Sequence, residues 1–338
     1  MRCLFCDYRE IQDDALETEK CPECGRLLNS YPVLKRGHFL KDGKYEIIHA
    51  LSKGGFGIVY KAKDLKNNEN TVAIKEMYLD NCFYRSYGES YLSINNSEKF
   101  SQKIQKLFER FHRESSILMR VSGHKNIVHW RDFFDENNTS YIVMDYVEGV
   151  NLLEYAGNFP GQKLPYEKAF AIARQIVDTL DYIHKENVYH CDISPDNIII
   201  DDLENIKFID FGGAKLGFRN NTDDSVKEHY SPLELFNPAY VSNSLTPASD
   251  IFSAGMVIYE LLSGEKAPPA VQRVRMNDGQ LIEFDAVCLK EPFRSFINRA
   301  LKMKVELRPR TAKEWWDPIF TNISIVSTNG KCCIEMEL

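Results

Sequence analysis

The order of local sequence patterns restricts the fold of this chain more than any other feature. From about Tyr45 onward, short segments rich in β-branched and apolar residues come first, and longer segments with helical spacing of apolar residues follow. The predicted strands are residues 45–52, 57–63, 70–77, 127–133 and 139–146. The predicted helices are residues 97–121, 165–186 and 247–263. This order predicts an α+β protein with a five-stranded antiparallel N-lobe and a helical C-lobe, and a ligand site in the cleft between the lobes.

Two of the predicted helices carry end signals. Pro165 suits the first turn of the helix at 165–186. Thr246 is expected to cap the helix at 247–263, with Pro247 at its first position and Gly264 just past its end. These signals therefore predict the start of the first helix and both ends of the second.

Length and charge restrict the partners. The chain has 338 residues and a formal net charge of −7. Because phosphate backbones repel an acidic chain, we expect no nucleic-acid partner. A membrane helix requires roughly 18 apolar residues, and no such run is present. The start MRCLFCDYRE lacks the apolar region of a signal peptide, and Cys332 and Cys333 lie too far from the terminus for prenylation. We therefore expect a cytoplasmic protein without membrane attachment.

Residues 1–30 form a cysteine cluster, followed by a linker at 31–43. Cys3, Cys6, Cys21 and Cys24 have the spacing C-x2-C-x14-C-x2-C, which predicts a tetrahedral, structural Zn²⁺ site. The metal would supply the folding free energy that so short a segment cannot obtain from apolar burial. Four unrelated buried thiols are the alternative. The cluster is acidic, so this predicted zinc ribbon is expected to contact protein rather than nucleic acid.

Four motifs, in this order, predict phosphate chemistry. LSKGGFGIVYKA places Gly54 and Gly57 in a turn between two strands, where backbone N–H groups can approach phosphates, although a plain hairpin explains a lone glycine turn equally well. Lys75 ends VAIK, with Glu114 as its expected partner and an edge-strand surface lysine as the alternative. The motifs HCDISPDN at 190–197 and DFG at 210–212 supply two acids and an asparagine, which can surround Mg²⁺ and a hydroxyl nucleophile.

Together these motifs resemble those of the eukaryotic-like, bacterial-type serine/threonine protein kinases over about residues 44–320. The resemblance implies a protein-kinase-like fold, ATP and Mg²⁺ as cofactors, and a protein substrate. A C-terminal tail at 321–338 would follow, and its part after about Val326 is expected to be a flexible end. The implied nucleotide-binding residues are Leu51, Ser52, Gly54, Gly55, Phe56, Gly57, Val59, Ala73, Lys75, Met144, Asp145, Val147, Asn197 and Asp210.

The resemblance also implies individual roles. Lys75 would bind the α- and β-phosphates and pair with Glu114, while Met144 would be the gatekeeper before an adenine-binding hinge at 145–147. Asp192 would orient the substrate hydroxyl and accept its proton, and Asn197 and Asp210 would hold Mg²⁺. Two further expectations concern support of the site. Glu234 would pair with Arg308 at the end of the activation segment, and Asp250 would brace the catalytic loop.

The sequence departs from the family pattern in the phosphate loop and in the catalytic loop. Ser52 replaces the first glycine of the phosphate loop. Cys191 replaces an arginine that normally pairs with a phosphorylated activation loop, so phosphorylation at Thr222 or Ser225 is not expected to be the main switch. Ser194 stands where serine/threonine kinases have a lysine, and Lys227 stands where they have a threonine. This paired exchange predicts that Lys227 supplies the missing catalytic charge, with a solvent-facing lysine as the alternative.

A final departure is an insert near residues 78–98, which makes the separation of Lys75 and Glu114 longer than usual. It carries the aromatic residues Tyr78, Phe83, Tyr84, Tyr87 and Tyr91. Because aromatic side chains usually bury, we expect an insert packed on the small lobe, with a partner-binding flap as the alternative.

Three other functions stay open at this point. The changes at Ser52, Cys191 and Ser194 are compatible with a pseudokinase or nucleotide-binding scaffold. A small-molecule kinase would share the same core, although the SPLE segment with Arg308 resembles a protein-substrate docking segment. An adaptor dominated by the cysteine cluster is the third, and tyrosine specificity is not excluded.

Overall fold

The computed structural model describes residues 32–55, 57–86, 89–94, 98–217, 227–236, 246–275, 281–320, 323–328 and 331–336. The chain divides into two compact units. The first holds the described residues up to Met119 together with Val128–Val147. The second holds Arg120–Ile127 and the described residues from Glu148 onward.

The first unit is built on an antiparallel sheet. Its described strands are β1 (Phe39–Leu40), β2 (Tyr45–Lys53), β3 (Gly57–Asp64), β4 (Asn70–Met77), β5 (Phe83–Tyr84), β6 (Ser93–Ile94), β7 (Trp130–Glu136) and β8 (Thr139–Asp145). Six of them form one sheet in the order β1-β2-β3-β4-β8-β7. The predicted five strands are all present among these. The sixth is the short β1, whose two residues pair with β2 and carry too little pattern to be predicted.

A long helix, α1 (Glu98–Val121), connects the sheet strands β4 and β7 along the chain, and its predicted bounds of 97–121 are confirmed to within one residue. The predicted strand at 127–133 begins only at Trp130. Before Trp130 the backbone makes other contacts. Ile127 forms an isolated bridge with Phe208, and the carbonyl of His129 accepts a hydrogen bond from the Asp145 N–H at 2.9 Å.

The insert after β4 is packed against the first unit. Tyr78 and Phe83 are buried, and their rings lie 6.3 Å apart. Strands β5 and β6 pair with each other, and the Leu92 N–H donates to the carbonyl of Asn137 at 2.8 Å. Tyr84 and Tyr91 are about half exposed, at 55% and 49%. The packed insert is thus the better description of its described part, while Tyr87 lies outside the described residues.

A buried polar cluster joins this insert to the sheet. Glu76 of β4 accepts hydrogen bonds from the hydroxyls of Tyr60 and Tyr141, each at 2.7 Å, and forms an ion pair with Arg85. Arg85 also donates to the carbonyl of Pro32 at 2.5 Å. The Glu76 and Arg85 side chains are at most 2% exposed. The cluster therefore connects the linker, the insert and the central strands.

The second unit is mainly helical. Its described helices are α2 (Leu152–Gly157), α3 (Tyr166–Lys185), α4 (Leu233–Phe236), α5 (Pro247–Ser263), α6 (Ala270–Arg275), α7 (Phe293–Ala300) and α8 (Ala312–Phe320). Its described strands are β9 (Val150–Asn151), β10 (Val188–Tyr189), β11 (Ile198–Ile200), β12 (Ile206–Phe208), β13 (Lys215–Leu216), β14 (Ile323–Thr328) and β15 (Lys331–Met336). Helix α5 is its core, because every residue from Ala248 to Leu262 is buried.

The end signals of α3 and α5 are largely confirmed. Helix α5 spans the predicted 247–263, and Gly264 follows it in the left-handed conformation at φ 75°. Thr246 occupies the N-cap position, but its hydroxyl makes no capping hydrogen bond, and the Ser249 N–H bonds instead to the Thr246 carbonyl at 3.0 Å. Pro165 is the N-cap of α3 rather than its first residue, because its ψ of 146° is extended.

The described part of the predicted tail forms a hairpin. Strands β14 and β15 pair antiparallel from Ile323 opposite Met336 to Thr328 opposite Lys331. The run ISIVST is rich in β-branched residues, which explains why it adopts a strand where a flexible end was predicted. None of the described helices is both long enough and apolar enough to cross a membrane.

Candidate active site

The glycine turn lies between β2 and β3. The Gly54 N–H donates to the Gly57 carbonyl at 2.9 Å, which closes the turn. A Cβ at Gly57 would lie 2.7 Å from the carbonyl oxygen of Glu76 on β4, so this position requires glycine because two strands approach closely. Ser52 pairs with Val59 across the two strands. Phe56 lies outside the described residues.

Lys75 lies on β4, between β3 and β8, and is therefore not an edge-strand residue. Its ammonium lies 2.5 Å from the carboxylate of Glu114 on α1, and the two side chains are 13% and 6% exposed. The predicted ion pair across 39 residues is confirmed, and the surface-lysine alternative is wrong. A largely buried lysine held by one carboxylate is positioned to contact an anion.

Five other predicted nucleotide residues of the first unit lie on β2, β3, β4 and β8, and Val147 follows β8. Met144 of β8 is directly opposite Ala73 of β4, and both side chains are buried. Leu51, Val59 and Val147 are half-buried. The side chain of Asp145 forms an ion pair with Arg131.

Asp250, in the first turn of α5, supports the catalytic loop at 190–197. Its carboxylate accepts hydrogen bonds from the backbone N–H groups of His190 and Cys191, each at 2.8 Å, and lies 2.8 Å from His184 Nε2. These contacts stabilise Cys191 at φ 59°, which L-residues rarely adopt. Burial opposes ionisation of Asp250, but the His184 and backbone contacts outweigh it and lower the pKa of the carboxyl. The predicted bracing by Asp250 is confirmed.

Asn197 contacts Asp192 of the catalytic loop. The side-chain amide of Asn197 donates to the Asp192 backbone carbonyl at 2.8 Å and to the Asp192 carboxylate at 3.2 Å. The backbone carbonyl of Asn197 accepts from the Ile209 N–H at 3.0 Å, and the carboxylate of Asp210 accepts from the Gly212 N–H at 2.9 Å. The side chains of Asn197 and Asp210 carry oxygen atoms, which are the donors that Mg²⁺ prefers. The donor set therefore fits the implied metal.

Position 213, which lies beside Asp192, requires glycine. A Cβ at Gly213 would lie 2.8 Å from the Cβ of Asp192 and 3.4 Å from the carbonyl oxygen of His190. Strand β10 precedes the catalytic loop in the chain, and β13 follows DFG. The pairing of these two strands brings the segment after DFG against the catalytic loop. His190 is fully buried and in ring contact with Phe211 at 4.8 Å. Burial lowers the pKa of His190, so its imidazole is neutral at pH 7.

Lys227 reaches the catalytic loop. Its ammonium donates to the Ser194 hydroxyl at 2.7 Å and lies 3.8 Å from the Asp192 carboxylate. The Ser194 side chain is buried, and the Lys227 side chain is 37% exposed. The alternative of a merely solvent-facing lysine does not describe these contacts.

The side chain of Cys191 packs against apolar neighbours. It forms a buried cluster with Tyr189, against which Leu235 of α4 packs. Glu234, the preceding residue, is paired with Arg308 at 2.6 Å, and Arg308 is 3% exposed. The predicted Glu234–Arg308 ion pair is confirmed. Thr222 and Ser225 lie outside the described residues.

Sequence reasoning missed two contributors to the site. His184 ends α3 and contacts Asp250, but a histidine in the last turn of a helix is ordinary and gives no specific signal. Tyr230 follows Lys227 and donates to the buried Glu260 of α5 at 2.8 Å. An acid within the apolar run of α5 was a possible signal, since a buried acid requires a partner.

The zinc prediction falls outside the part of the chain that the structure describes. Cys3, Cys6, Cys21 and Cys24 all lie among residues 1–31. Within the described ranges, no group of three or more His, Cys, Asp or Glu side chains is arranged to hold a metal ion. The described residues thus hold no zinc-type site.

Comparisons with known proteins agree with this geometry. The family described as "Protein kinase domain" matches residues 45–318. The chain is 33% identical over 224 residues to serine/threonine-protein kinase PrkC of Bacillus subtilis (strain 168), which covers 66% of this chain and 31% of that protein. It is 31% identical over 236 residues to CBL-interacting protein kinase 15 of Oryza sativa subsp. japonica, which covers 68% and 48%.

A third relative and a solved structure extend the match. Serine/threonine-protein kinase D of Synechocystis sp. is 28% identical over 310 residues, which covers 87% of this chain and 54% of that protein. The apo form of PpkA-294 is similar with a TM-score of 0.70 and 26% identity, over 84% of this chain and 98% of that structure. The chain spans between 31% and 54% of the length of the three relatives. With a family match over 45–318, the chain belongs to the protein kinase domain family.

Proposed function

We propose that this chain is an ATP-dependent protein serine/threonine kinase. The observation that carries the proposal is the group formed by Asp192, Asn197 and Lys227, in which an amide and an ammonium both contact the carboxylate of the catalytic loop. The Lys75–Glu114 ion pair supports it from the first unit. The serine/threonine kinases among the relatives favour hydroxyl side chains of proteins as substrates.

Each residue has a role in this proposal. Asp192 orients the substrate hydroxyl and accepts its proton. Lys75 neutralises charge on the α- and β-phosphates, and Glu114 positions Lys75. Asn197 and Asp210 hold Mg²⁺, which supplies charge neutralisation on the triphosphate when it is bound. Phosphoryl transfer requires positioning and electrostatic stabilisation rather than covalent chemistry by the protein, and this residue set provides both.

The direct test is transfer of labelled γ-phosphate to generic protein substrates in the presence of Mg²⁺. Asp192→Asn should reduce the rate by at least about a hundredfold, because it removes the proton acceptor while keeping the side-chain shape. The control is Asp202→Asn, which alters an exposed aspartate in the turn between β11 and β12. Equal transfer by wild type and Asp192→Asn would overturn the assigned mechanism.

A pseudokinase is the second candidate, favoured by Ser52 and Cys191. Nucleotide binding without any phosphotransfer by the purified wild-type chain would select it. Two observations oppose it. The Lys75–Glu114 pair is intact, and Asp192 and Asp210 are retained.

We further propose that Cys3, Cys6, Cys21 and Cys24 bind one structural Zn²⁺. The support is their double C-x-x-C spacing, which suits four thiolates around one metal. Elemental analysis of the purified chain should give about one zinc per chain, and replacing Cys3 and Cys6 by serine should remove it. Less than about half a zinc per wild-type chain would count against the ribbon without affecting the kinase proposal.

A further inference from the structure

We propose that Lys227 is a catalytic residue that contacts the transferring phosphoryl group, and that it replaces the charge absent at Ser194. This inference rests on the proposed function and adds a residue to it. The cation comes from the segment after DFG rather than from the catalytic loop itself. The catalytic loop would therefore contribute the carboxylate of Asp192, and the activation segment would contribute the ammonium of Lys227.

The contacts of Lys227 carry the inference. Its ammonium is within hydrogen-bonding distance of the buried Ser194 hydroxyl, at 2.7 Å, and 3.8 Å from the Asp192 carboxylate. Ser194 lies 33 residues earlier in the chain, two positions after Asp192. A serine is small enough to leave room for an incoming lysine side chain, and its hydroxyl orients the ammonium. The geometry thus brings a positive charge to the catalytic carboxylate.

The chemical step balances without any further reactant. The substrate hydroxyl oxygen attacks the γ-phosphorus, and a new O–P bond forms. The bond between the γ-phosphorus and the β–γ bridging oxygen breaks, its electron pair stays on that oxygen, and ADP leaves. The hydroxyl proton passes to Asp192. The ammonium of Lys227 stabilises the negative charge on the phosphoryl oxygens, as expected for a preorganised cation.

The backbone around Lys227 holds it without a phosphate group. Its carbonyl accepts hydrogen bonds from the N–H groups of Tyr230 and Ser231, at 3.2 and 3.1 Å. The Tyr230 hydroxyl is bonded to Glu260 at 2.8 Å, and Leu235 packs on Cys191. Backbone hydrogen bonds, the Tyr230–Glu260 contact and apolar packing therefore position the segment that delivers the ammonium.

The test is an exchange of the two positions. Lys227→Thr should lower kcat for phosphotransfer at least tenfold, equivalent to about 1.4 kcal/mol of barrier, with the KM for the protein substrate changed less than twofold. The double variant Ser194→Lys, Lys227→Thr should recover activity to within about threefold of wild type. Lys290→Thr, which removes an exposed lysine of the same unit, is the control and should behave as wild type. Thermal unfolding verifies that each variant is folded.

A binding measurement keeps the inference testable apart from turnover. Calorimetry with Mg²⁺ should show that Lys227→Thr lowers the preference for ATP over ADP at least about threefold, and that the double variant restores it, because only ATP carries the γ-phosphate. An inactive wild type would overturn the kinase proposal, while the ATP-to-ADP ratio would still decide on Lys227. Folded Lys227→Thr with wild-type kcat and an unchanged ratio, or a double variant no better than Lys227→Thr, would overturn the role of Lys227.

Discussion

Asp250 is the residue on which the shape of the catalytic loop depends most. Its single carboxylate accepts from two consecutive backbone N–H groups about 60 positions away and also contacts His184. Hydrogen bonds to a carboxylate stabilise its charged form, which is why the pKa of Asp250 is lowered despite complete burial. The loop geometry and the ionisation of this group are therefore linked.

This linkage predicts a pH-dependent contribution to stability. Since the pKa of Asp250 is lower in the folded state than in the unfolded state, its stabilisation is fully present above pH of about 4 and is lost as the pH falls through the folded value. Asp250→Asn should therefore be destabilised relative to wild type at pH 7, and the difference should shrink below pH 4. Chemical unfolding at several pH values measures this. The exposed Asp202→Asn control should show no such convergence, and a difference independent of pH would contradict the assignment.

Glu76 is the corresponding residue of the first unit. It is fully buried and is contacted by Arg85, Tyr60 and Tyr141. Glu76→Gln should lower the free energy of unfolding by about 3–5 kcal/mol, because the variant leaves the Arg85 charge buried without its counter-ion. Denaturant unfolding monitored by tryptophan fluorescence gives this value.

The control for Glu76 is the exposed pair between Lys63 and Glu69, which lie 3.4 Å apart. Glu69→Gln should change the unfolding free energy by at most about 1 kcal/mol, because solvent screens an exposed ion pair. Equal effects of the two substitutions would show that the cluster around Glu76 contributes no more than a surface contact.

At the scale of elements, the described ends of the activation segment are held by apolar packing, by hydrogen bonds and by one buried ion pair. Cys191 packs with Tyr189 and Leu235 where the family pattern has a charged arginine, and Glu234 is fixed by Arg308. A buried cysteine cannot attract a phosphate group as an arginine does. The described ends of the segment are therefore anchored without phosphorylation.

This anchoring predicts that phosphorylation of the segment matters little for turnover. Thr222→Ala combined with Ser225→Ala should retain at least a third of the wild-type phosphotransfer rate. Phosphatase-treated wild type should behave in the same way, which provides a control that involves no substitution. A tenfold or larger loss in both samples would restore loop phosphorylation as the main switch.

The long helices and sheet strands were predictable because their signals are local and repeated. Helix α5 begins and ends at its predicted residues, and α1 differs by one. Short elements were not predictable, since β1 and β10 contain two residues each and carry too little pattern. Strand β10 also forms only through pairing with the distant β13. The hairpin of β14 and β15 was not predicted, because a terminal segment is usually flexible, although the run ISIVST is rich in β-branched residues.

The candidate site was predictable at its motifs and less so around them. Lys75, Asp192, Asn197 and Asp210 stand out in the sequence, and the pairs Lys75–Glu114 and Glu234–Arg308 follow from the resemblance. The contacts of His184 and Tyr230 depend on tertiary packing between segments that share no local pattern. The exchange of Ser194 and Lys227 was predictable only in part. The sequence suggested it, and the 2.7 Å contact between the two side chains supports it.

At the scale of the whole molecule, the proposed kinase function requires residues from both units to act on one nucleotide. The measurement that tests this most directly is kcat/KM for Mg·ATP in phosphotransfer by wild type, Lys75→Met and Asp210→Asn. Lys63→Met and Asp202→Asn serve as controls in the same two units. We predict a loss of at least about a hundredfold for each of the first two variants and none for the controls. Wild-type turnover by a folded Lys75→Met or a folded Asp210→Asn variant would contradict the proposed kinase function.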